Sequence, residues 1–447
     1  MGKKNVFMHT LLRTVFFIFI LFIIRQIVAA EIILAGEPSS KISDQYSSSV
    51  SVSSERNQKL ANIDLEEAYN KALSASEELA SRKEGIKQLE AAEKTIKSSF
   101  RPSLNLNGIH YKYRNEHNQT NVWFSASYTL FSGMRDYILL KASHASMEAW
   151  EMELAAAKRA LFLDVVSAYL NLYRTQKENI ILKNQIKVVK KRIDHLKWRV
   201  SVGRSRRSEV VAAETQLAQT EAEYTENLAS EQSCIQTLSF LTGMEDVHFL
   251  PAEPAAVKAM TLGEYLKKVE SREDILAAAK KADAAAYTAE AENRKAMPEV
   301  ALSGNYYPLK EPMPAQDRLW YAALEVSVPL YTGGKIAAGK ESAMAARNAA
   351  GIALRQALRS ARNGVRTAYS DYEYAGQRYK TLKKAARLAR ENVRLQEEDY
   401  SKMLVTNLDV LSAMNTAQSA ETALLRAEIE MLYAFYKLEN ISGAPLK

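Results

Sequence analysis

The chain has 447 residues, 60 Lys and Arg against 52 Asp and Glu, and one cysteine. That length allows more than one core, and the lone Cys234 excludes an intrachain disulfide or a cysteine-rich metal site. The net charge of +8 falls to +4 once Lys3, Lys4, Arg13 and Arg25 of residues 1–30 are set aside, too little to argue for nucleic acid, and no nucleic-acid motif accompanies it.

Residues 1–30 read as a secretory signal. Lys3, Lys4 and Arg13 make a basic start, Val15 to Ile24 is an unbroken apolar run, and Val28-Ala29-Ala30 supplies small residues for cleavage before Glu31. The rival is an uncleaved anchor helix, but such a run rises only about 15 Å, roughly half a bilayer core. No later apolar run is long enough for a spanning helix, so a membrane-spanning form of this chain must use strands. Residues 31–61 are rich in serine and read as a flexible, solvated extension.

The mature chain is a tandem duplication. Leu65 answers Leu262, Pro102 answers Pro298 and Trp123 answers Trp320. After the strands the offset is fixed at 200: Leu130-Phe131-Ser132-Gly133 answers Leu330-Tyr331-Thr332-Gly333, and Leu241-Thr242-Gly243 answers Ile441-Ser442-Gly443. Such a repeat is one half of a pseudo-symmetric molecule. The expected halves are residues 62–243 and 260–443, joined by a linker over 244–259 and followed by a tail, 444–447.

Each half reads as helix, two strands, a very long helix, a turn and another helix. The first helix of each half stops before Arg101-Pro102 or Met297-Pro298, because proline pushes the preceding residue out of the helical region. The long helices carry steps of three and four, as in Val165, Ala168, Leu172, Thr175 and Asn179, and again in Val365, Ala368, Tyr372, Ala375 and Tyr379. A 3.5-residue repeat predicts left-handed supercoiling against neighbours. A rod from about Met134 to Val200 is about 100 Å long.

Two hairpins are expected between the helices, over 103–131 and 299–331. Val122, Phe124, Ala126, Tyr128 and Leu130 alternate with Ser125, Ser127 and Thr129. Trp320, Ala322, Leu324, Val326, Val328 and Leu330 alternate with Tyr321, Ala323, Glu325 and Ser327. A lipid-facing barrel wall has this pattern, with aromatic girdles at its rims, and Trp123, Phe131, Trp320 and Tyr331 stand near strand ends. A soluble sheet packed on helices gives the same alternation. Four strands cannot close a barrel, and an open edge cannot face lipid, so the membrane reading requires several chains to share one barrel. Two chains give eight strands, three give twelve and four give sixteen.

These residues resemble the TolC-like outer-membrane efflux family over nearly all of 60–443. The resemblance rests on the duplication, on Leu-(Phe/Tyr)-(Ser/Thr)-Gly before each long helix, on the turns Val202-Gly203…Glu209-Val210 and Met403…Thr406…Asp409-Val410-Leu411, and on the two half endings. It implies a mainly helical chain with four strands, three copies of which share a twelve-stranded β-barrel in the outer-membrane lipid above a hollow periplasmic α-barrel of antiparallel coiled-coil helices. It implies a passive exit duct for small molecules or secreted proteins, working with a periplasmic adaptor and an inner-membrane pump. A periplasmic coiled-coil scaffold without a pore is the alternative.

No catalytic constellation, cofactor motif or metal-ligand cluster is present in the sequence; the histidines are scattered, and Gly333-Gly334 reads as a strand-to-helix turn. The helical turns carry the candidate sites. Asp409 matches a family position whose carboxylates ring the closed mouth, while Thr406-x-x-Asp409 also reads as a capping box. Glu209 is its equivalent in turn one, and Ser412 stands where the family often has a second acid. Val202, Gly203, Arg204, Arg206 and Arg207 in turn one, with Met403 and Leu404 in turn two, are candidate adaptor-docking tips; solvated charge and core packing are the bland readings.

Overall fold

The computed structural model describes residues 59–112, 119–244, 247–251, 259–309 and 319–444. The signal and most of the serine-rich extension lie outside the described residues.

The first half contains β1 (Lys59–Ile63), α1 (Leu65–Ala75), α2 (Glu77–Ser98), β2 (Ser103–Tyr111), β3 (Gln119–Phe131), α3 (Arg135–Ser201) and α4 (Arg207–Thr242). The second half repeats it with β4 (Val247–Pro251), α5 (Leu262–Lys268), a single 3₁₀ turn, α6 (Glu273–Arg294), β5 (Glu299–Leu309), β6 (Trp320–Ser327), α7 (Lys335–Ser401) and α8 (Asn407–Ser442). Helices α3 and α7 each have 67 residues, about 100 Å.

Two features depart from the expectations. Residues 59–61 are not part of a loose extension, because β1 pairs in parallel with β4, inside the stretch read as a linker. Ile63, at the end of β1, is 1% exposed, and its carbonyl accepts a hydrogen bond from the Tyr169 hydroxyl on α3, which ties the start of the described chain to the long rod. The last strand is also shorter than its counterpart. β3 runs to Phe131, but β6 stops at Ser327, and Val328 to Tyr331 lie outside it. Pro329 stands where the first half has Thr129, and proline has no N–H to give a ladder.

The four longer strands form one antiparallel sheet in the order β2-β3-β5-β6. Cross-strand partners share a face, and the register places Leu104 opposite Ala126, Leu106 opposite Phe124, and Leu302 opposite both Tyr128 and Leu324. This apolar face is bare: Leu104 is 71% exposed, Leu324 64% and Val326 62%. The opposite face is polar, with Ser103 bonded to Ser127 and the Asn107 amide donating to the Ser125 hydroxyl. The helices do not cover the apolar face, and both β2 and β6 are unpaired edges within this sheet.

Below the sheet, α3 packs against α2, α4, α6 and α8, whereas α7 packs chiefly on α6 and α8. The upper helices therefore lie in the order α2-α3-α6-α7 and the lower ones in the order α4-α3-α8-α7. Polar ties join the halves across this seam. The Glu178 carboxylate, 4% exposed, takes Arg174 and, from α8, Arg426, each at 2.8 Å. Arg159 on α3 pairs with Glu273 at the start of α6 and donates to the carbonyls of Gly443 and Ala444.

Candidate functional site

The two turns that close the long hairpins sit together at the end of the rods remote from the sheet. An apolar cluster holds them: Val189, Ile193 and Leu196 from α3, Val210 and Ala213 from α4, Tyr400 from α7, and Val410, Leu411 and Met414 from α8. Both turns have the same backbone. The Arg204 N–H donates to the Arg199 carbonyl at 2.8 Å, and the Leu404 N–H donates to the Asp399 carbonyl at 3.0 Å. This is the six-to-one bond of a Schellman ending, which needs a left-handed residue just before the donor. Gly203 fills it with φ 71°; Met403 fills it with φ 64°, where a side chain costs about 1–2 kcal/mol.

The side chains differ sharply. In turn two, the Thr406 hydroxyl and N–H both donate to the Asp409 carboxylate, at 2.6 and 2.8 Å, and the Asp409 N–H donates back to Thr406 Oγ1 at 3.4 Å, closing a capping box. The Thr406 hydroxyl, then its N–H, hold the Asp409 carboxyl below the usual carboxylate range. Asp409 and Ser412 are both exposed. In turn one, Arg206 holds the cap position with no side-chain cap, and Glu209 instead accepts from the Ser205 hydroxyl at 2.6 Å. Glu209 is half-buried and lies close enough to Arg192 to favour its charge.

Arg204, Arg206 and Arg207 are exposed and make no ion pair among the described residues. Val202 is exposed, and Met403 and Leu404 are each 70% exposed, so neither of the latter two packs into the core of this chain. Leu408, 68% exposed, extends the same apolar tip and was not read from the sequence.

The sequence also gave no sign of a cluster just behind the turns. Asn407, 1% exposed, accepts from Arg192 Nε at 2.9 Å. The Tyr400 ring receives two guanidinium groups, Arg192 at 4.2 Å and Arg199 at 4.8 Å from its centroid. Burial pulls the Arg192 pKa down. The cluster joins α3 of the first half to α7 and α8 of the second. Tyr400 continues the three-and-four spacing that runs from Val365 through Tyr379, and nothing in that spacing pairs it with residues two hundred positions away.

At the other end, Trp123 stacks on Tyr307 with centroids 6.0 Å apart, while Phe131, Trp320 and Tyr331 are exposed. Among the described residues no group of three acids, histidines or cysteines is arranged to hold a metal, and no helix is long and apolar enough to cross a membrane.

The family model described as outer membrane efflux protein matches this chain twice, over residues 68–244 and 267–444. The chain belongs to the outer membrane efflux protein family. The outer membrane efflux protein BepC of Brucella suis biovar 1 (strain 1330) is 22% identical over 395 residues, covering 84% of each chain. Nodulation protein T of Rhizobium leguminosarum bv. trifolii is 24% identical over 379 residues, covering 79% of this chain and 80% of its own. The open-state MtrE outer membrane channel of Neisseria gonorrhoeae superposes with a TM-score of 0.75 at 22% identity, over 86% of this chain and 89% of MtrE. The fold is thus that of an outer-membrane channel subunit, and the protein is an outer membrane efflux channel whose helices extend into the periplasm. The poreless scaffold reading falls with that finding.

Proposed function

We propose that three copies of this chain form the exit duct of a tripartite exporter. Each copy contributes its four-stranded sheet to a twelve-stranded barrel in the outer membrane, and the long helices continue it as a hollow periplasmic barrel. The observation that carries the reading is the sheet itself: one bare apolar face, one polar face and two open edges, at the end of a helical rod. A sheet of that kind is stable in lipid only when other copies pair its edges. Conduction is passive, so a pump in the inner membrane supplies the energy and a periplasmic adaptor bridges the two.

The turns are the periplasmic mouth in this arrangement. Asp409 carries the gate charge, since it is exposed, ionised and set at the tip of α8. Ser412 leaves the mouth with a single acidic ring. Glu209, bonded to Ser205 and near Arg192, serves the cluster behind the turns more than the opening. The apolar tip of Met403 and Leu404 and the basic tip of Val202, Gly203, Arg204, Arg206 and Arg207 form the adaptor surface. Trp123, Phe131, Trp320 and Tyr331 mark the barrel rims.

Planar-bilayer recording of the detergent-extracted protein tests the duct: discrete single-channel steps support it, and a silent bilayer at saturating protein overturns it. In cells, a deletion strain that becomes drug-sensitive marks small-molecule efflux. Loss of a secreted protein with unchanged drug sensitivity marks protein export instead.

A further inference from the structure

The contact between the two halves of one chain contains the template for the contact between two chains. Helix α3 lies in the middle of the helix order, flanked on one side by α2 and α4 and on the other by α6 and α8. Its repeat partner α7 has α6 and α8 on one side and no comparable packing on the other. Repeating the in-chain pattern sets α7 of one copy against α2 and α4 of the next. The lengths agree, since α1, α2 and α4 of 11, 22 and 36 residues together run about as far as the 67 residues of α7.

Three of the polar ties that hold α3 to the second half have a complementary counterpart at the open edges; two others, Glu148 with Lys280 and Glu153 with Lys281, have no charged one, since Asn348 and Ala353 stand at the equivalent positions of α7. Arg159 pairs with Glu273 at 2.7 Å. Their repeat equivalents are Arg359 (offset 200) and Glu77 (offset 196, as for Pro102 and Pro298). Glu178 pairs with Arg426 at 2.8 Å. Their equivalents are Arg378 and Glu226, with the charges exchanged but still opposite. Arg192 donates to Asn407 at 2.9 Å, and the equivalents are Asn392 and Arg207, again exchanged and again complementary.

All six equivalents are exposed. Arg359, Glu77, Glu226, Asn392 and Arg207 have no side-chain partner among the described residues, while Arg378 has an exposed pairing with Glu430. Arg359 belongs to a stretch, residues 342–370, that holds five arginines and no acid. Arg355, Arg359, Arg362 and Arg366 follow steps of four, three and four and so share one face of α7. The equivalent face of α3 carries Phe162 and Val166, which are 3% and 0% exposed and pack within the chain. Arg362 of this row is met by Glu270 within the chain, but Arg359 has no partner there, and α2 begins with Glu77, an equally unpartnered acid.

We propose that a second copy of this chain docks on α7 in the register of the in-chain seam, with Arg359 on Glu77, Arg378 on Glu226, and Asn392 on Arg207 of the neighbouring copy. The contact is head-to-tail, so each copy gives its α7 edge and receives on its α2 and α4 edge, and the ring closes by rotation. The proposal rests on the trimer reading above and adds its register and its pairs.

The test uses the full chain with Cys234→Ser as background. Two differently tagged forms are co-expressed, one carrying Arg359→Cys and the other Glu77→Cys. Oxidation of isolated outer membranes then gives a disulfide-linked dimer containing both tags. Separately, Glu226→Arg should lower trimer yield about tenfold by facing Arg378, and adding Arg378→Glu should restore it, because the double variant reproduces the polarity of Glu178 with Arg426. A wild-type trimer by native mass, with no mixed dimer and unchanged yield in Glu226→Arg, overturns the register and leaves the trimer standing. A wild-type protein that is not a trimer overturns both.

Discussion

Helices α3 and α7 are equivalent in the repeat, equal in length and opposite in character. In α3 the face carrying Phe162 and Val166 is buried, whereas the same face of α7 carries Arg362 and Arg366 in the open. Duplication supplied one helical rod twice, and position in the chain then decided which rod is packed on both sides by its own molecule and which on one. The same holds at the turns. Both use one backbone, yet turn one ends on glycine and exposed arginines, while turn two ends on a strained methionine, an apolar tip and a capping box. An identical scaffold thus presents two chemically distinct tips.

Equivalent truncations in the two rods should differ most. Phe162→Ala removes a core ring and should cost about 3–5 kcal/mol of unfolding free energy in detergent. Arg362→Ala at the matching site breaks only an exposed pair with Glu270, 2.8 Å long, and should cost less than about 1 kcal/mol. Similar losses at both sites would mean that the two rods are equally embedded in one chain.

Next is the cluster behind the turns. Arg192→Ala leaves the buried Asn407 amide oxygen without its donor and should cost about 1–3 kcal/mol, read as a lower thermal midpoint. The equivalent Asn392→Ala should leave the midpoint of the dissociated chain unchanged, because Asn392 is exposed within one chain.

Smaller effects exchange the features of the turns. Met403→Gly removes the left-handed strain and should stabilise the hairpin by about 1 kcal/mol, while Gly203→Met should destabilise turn one by a similar amount. Arg206→Thr gives turn one a cap residue with Glu209 three positions on, and should add about 1 kcal/mol. Hydrogen exchange at the two turns measures each change.

The smallest effect concerns the charge of Asp409 at the tip of turn two. The Asp409 carboxyl is held below its unfolded value, so its contribution is fully present above the ordinary carboxylate range and is lost only as pH falls through the lower folded value. Divalent-cation block of single-channel current should therefore persist as pH falls through the ordinary carboxylate range near 4. Asp409→Ala should weaken block at neutral pH; unchanged block removes Asp409 from the gate.

The duplication, the long rods and the alternating strands were legible because each is a periodic pattern within a window of residues. The capping box was legible because it spans only Thr406 to Asp409. The pairing of β1 with β4 was not, since two five-residue strands with no alternation meet across nearly two hundred positions. The early end of β6 was readable in principle from Pro329, but the repeat match with Leu130-Phe131 carried the strand too far. Met403 stood at the glycine position of its turn, yet its left-handed backbone became visible only in three dimensions. The cluster of Arg192, Tyr400 and Asn407 was hidden because side-chain meetings between distant helices depend on the supercoil register, which heptad spacing alone does not fix.

The native mass of the detergent-extracted mature protein decides whether one chain holds only part of a shared barrel. Three chains per particle is the expected result. A monomer or dimer that stays soluble once detergent is removed would contradict it, because the bare apolar face of the sheet would then need no lipid and no neighbour.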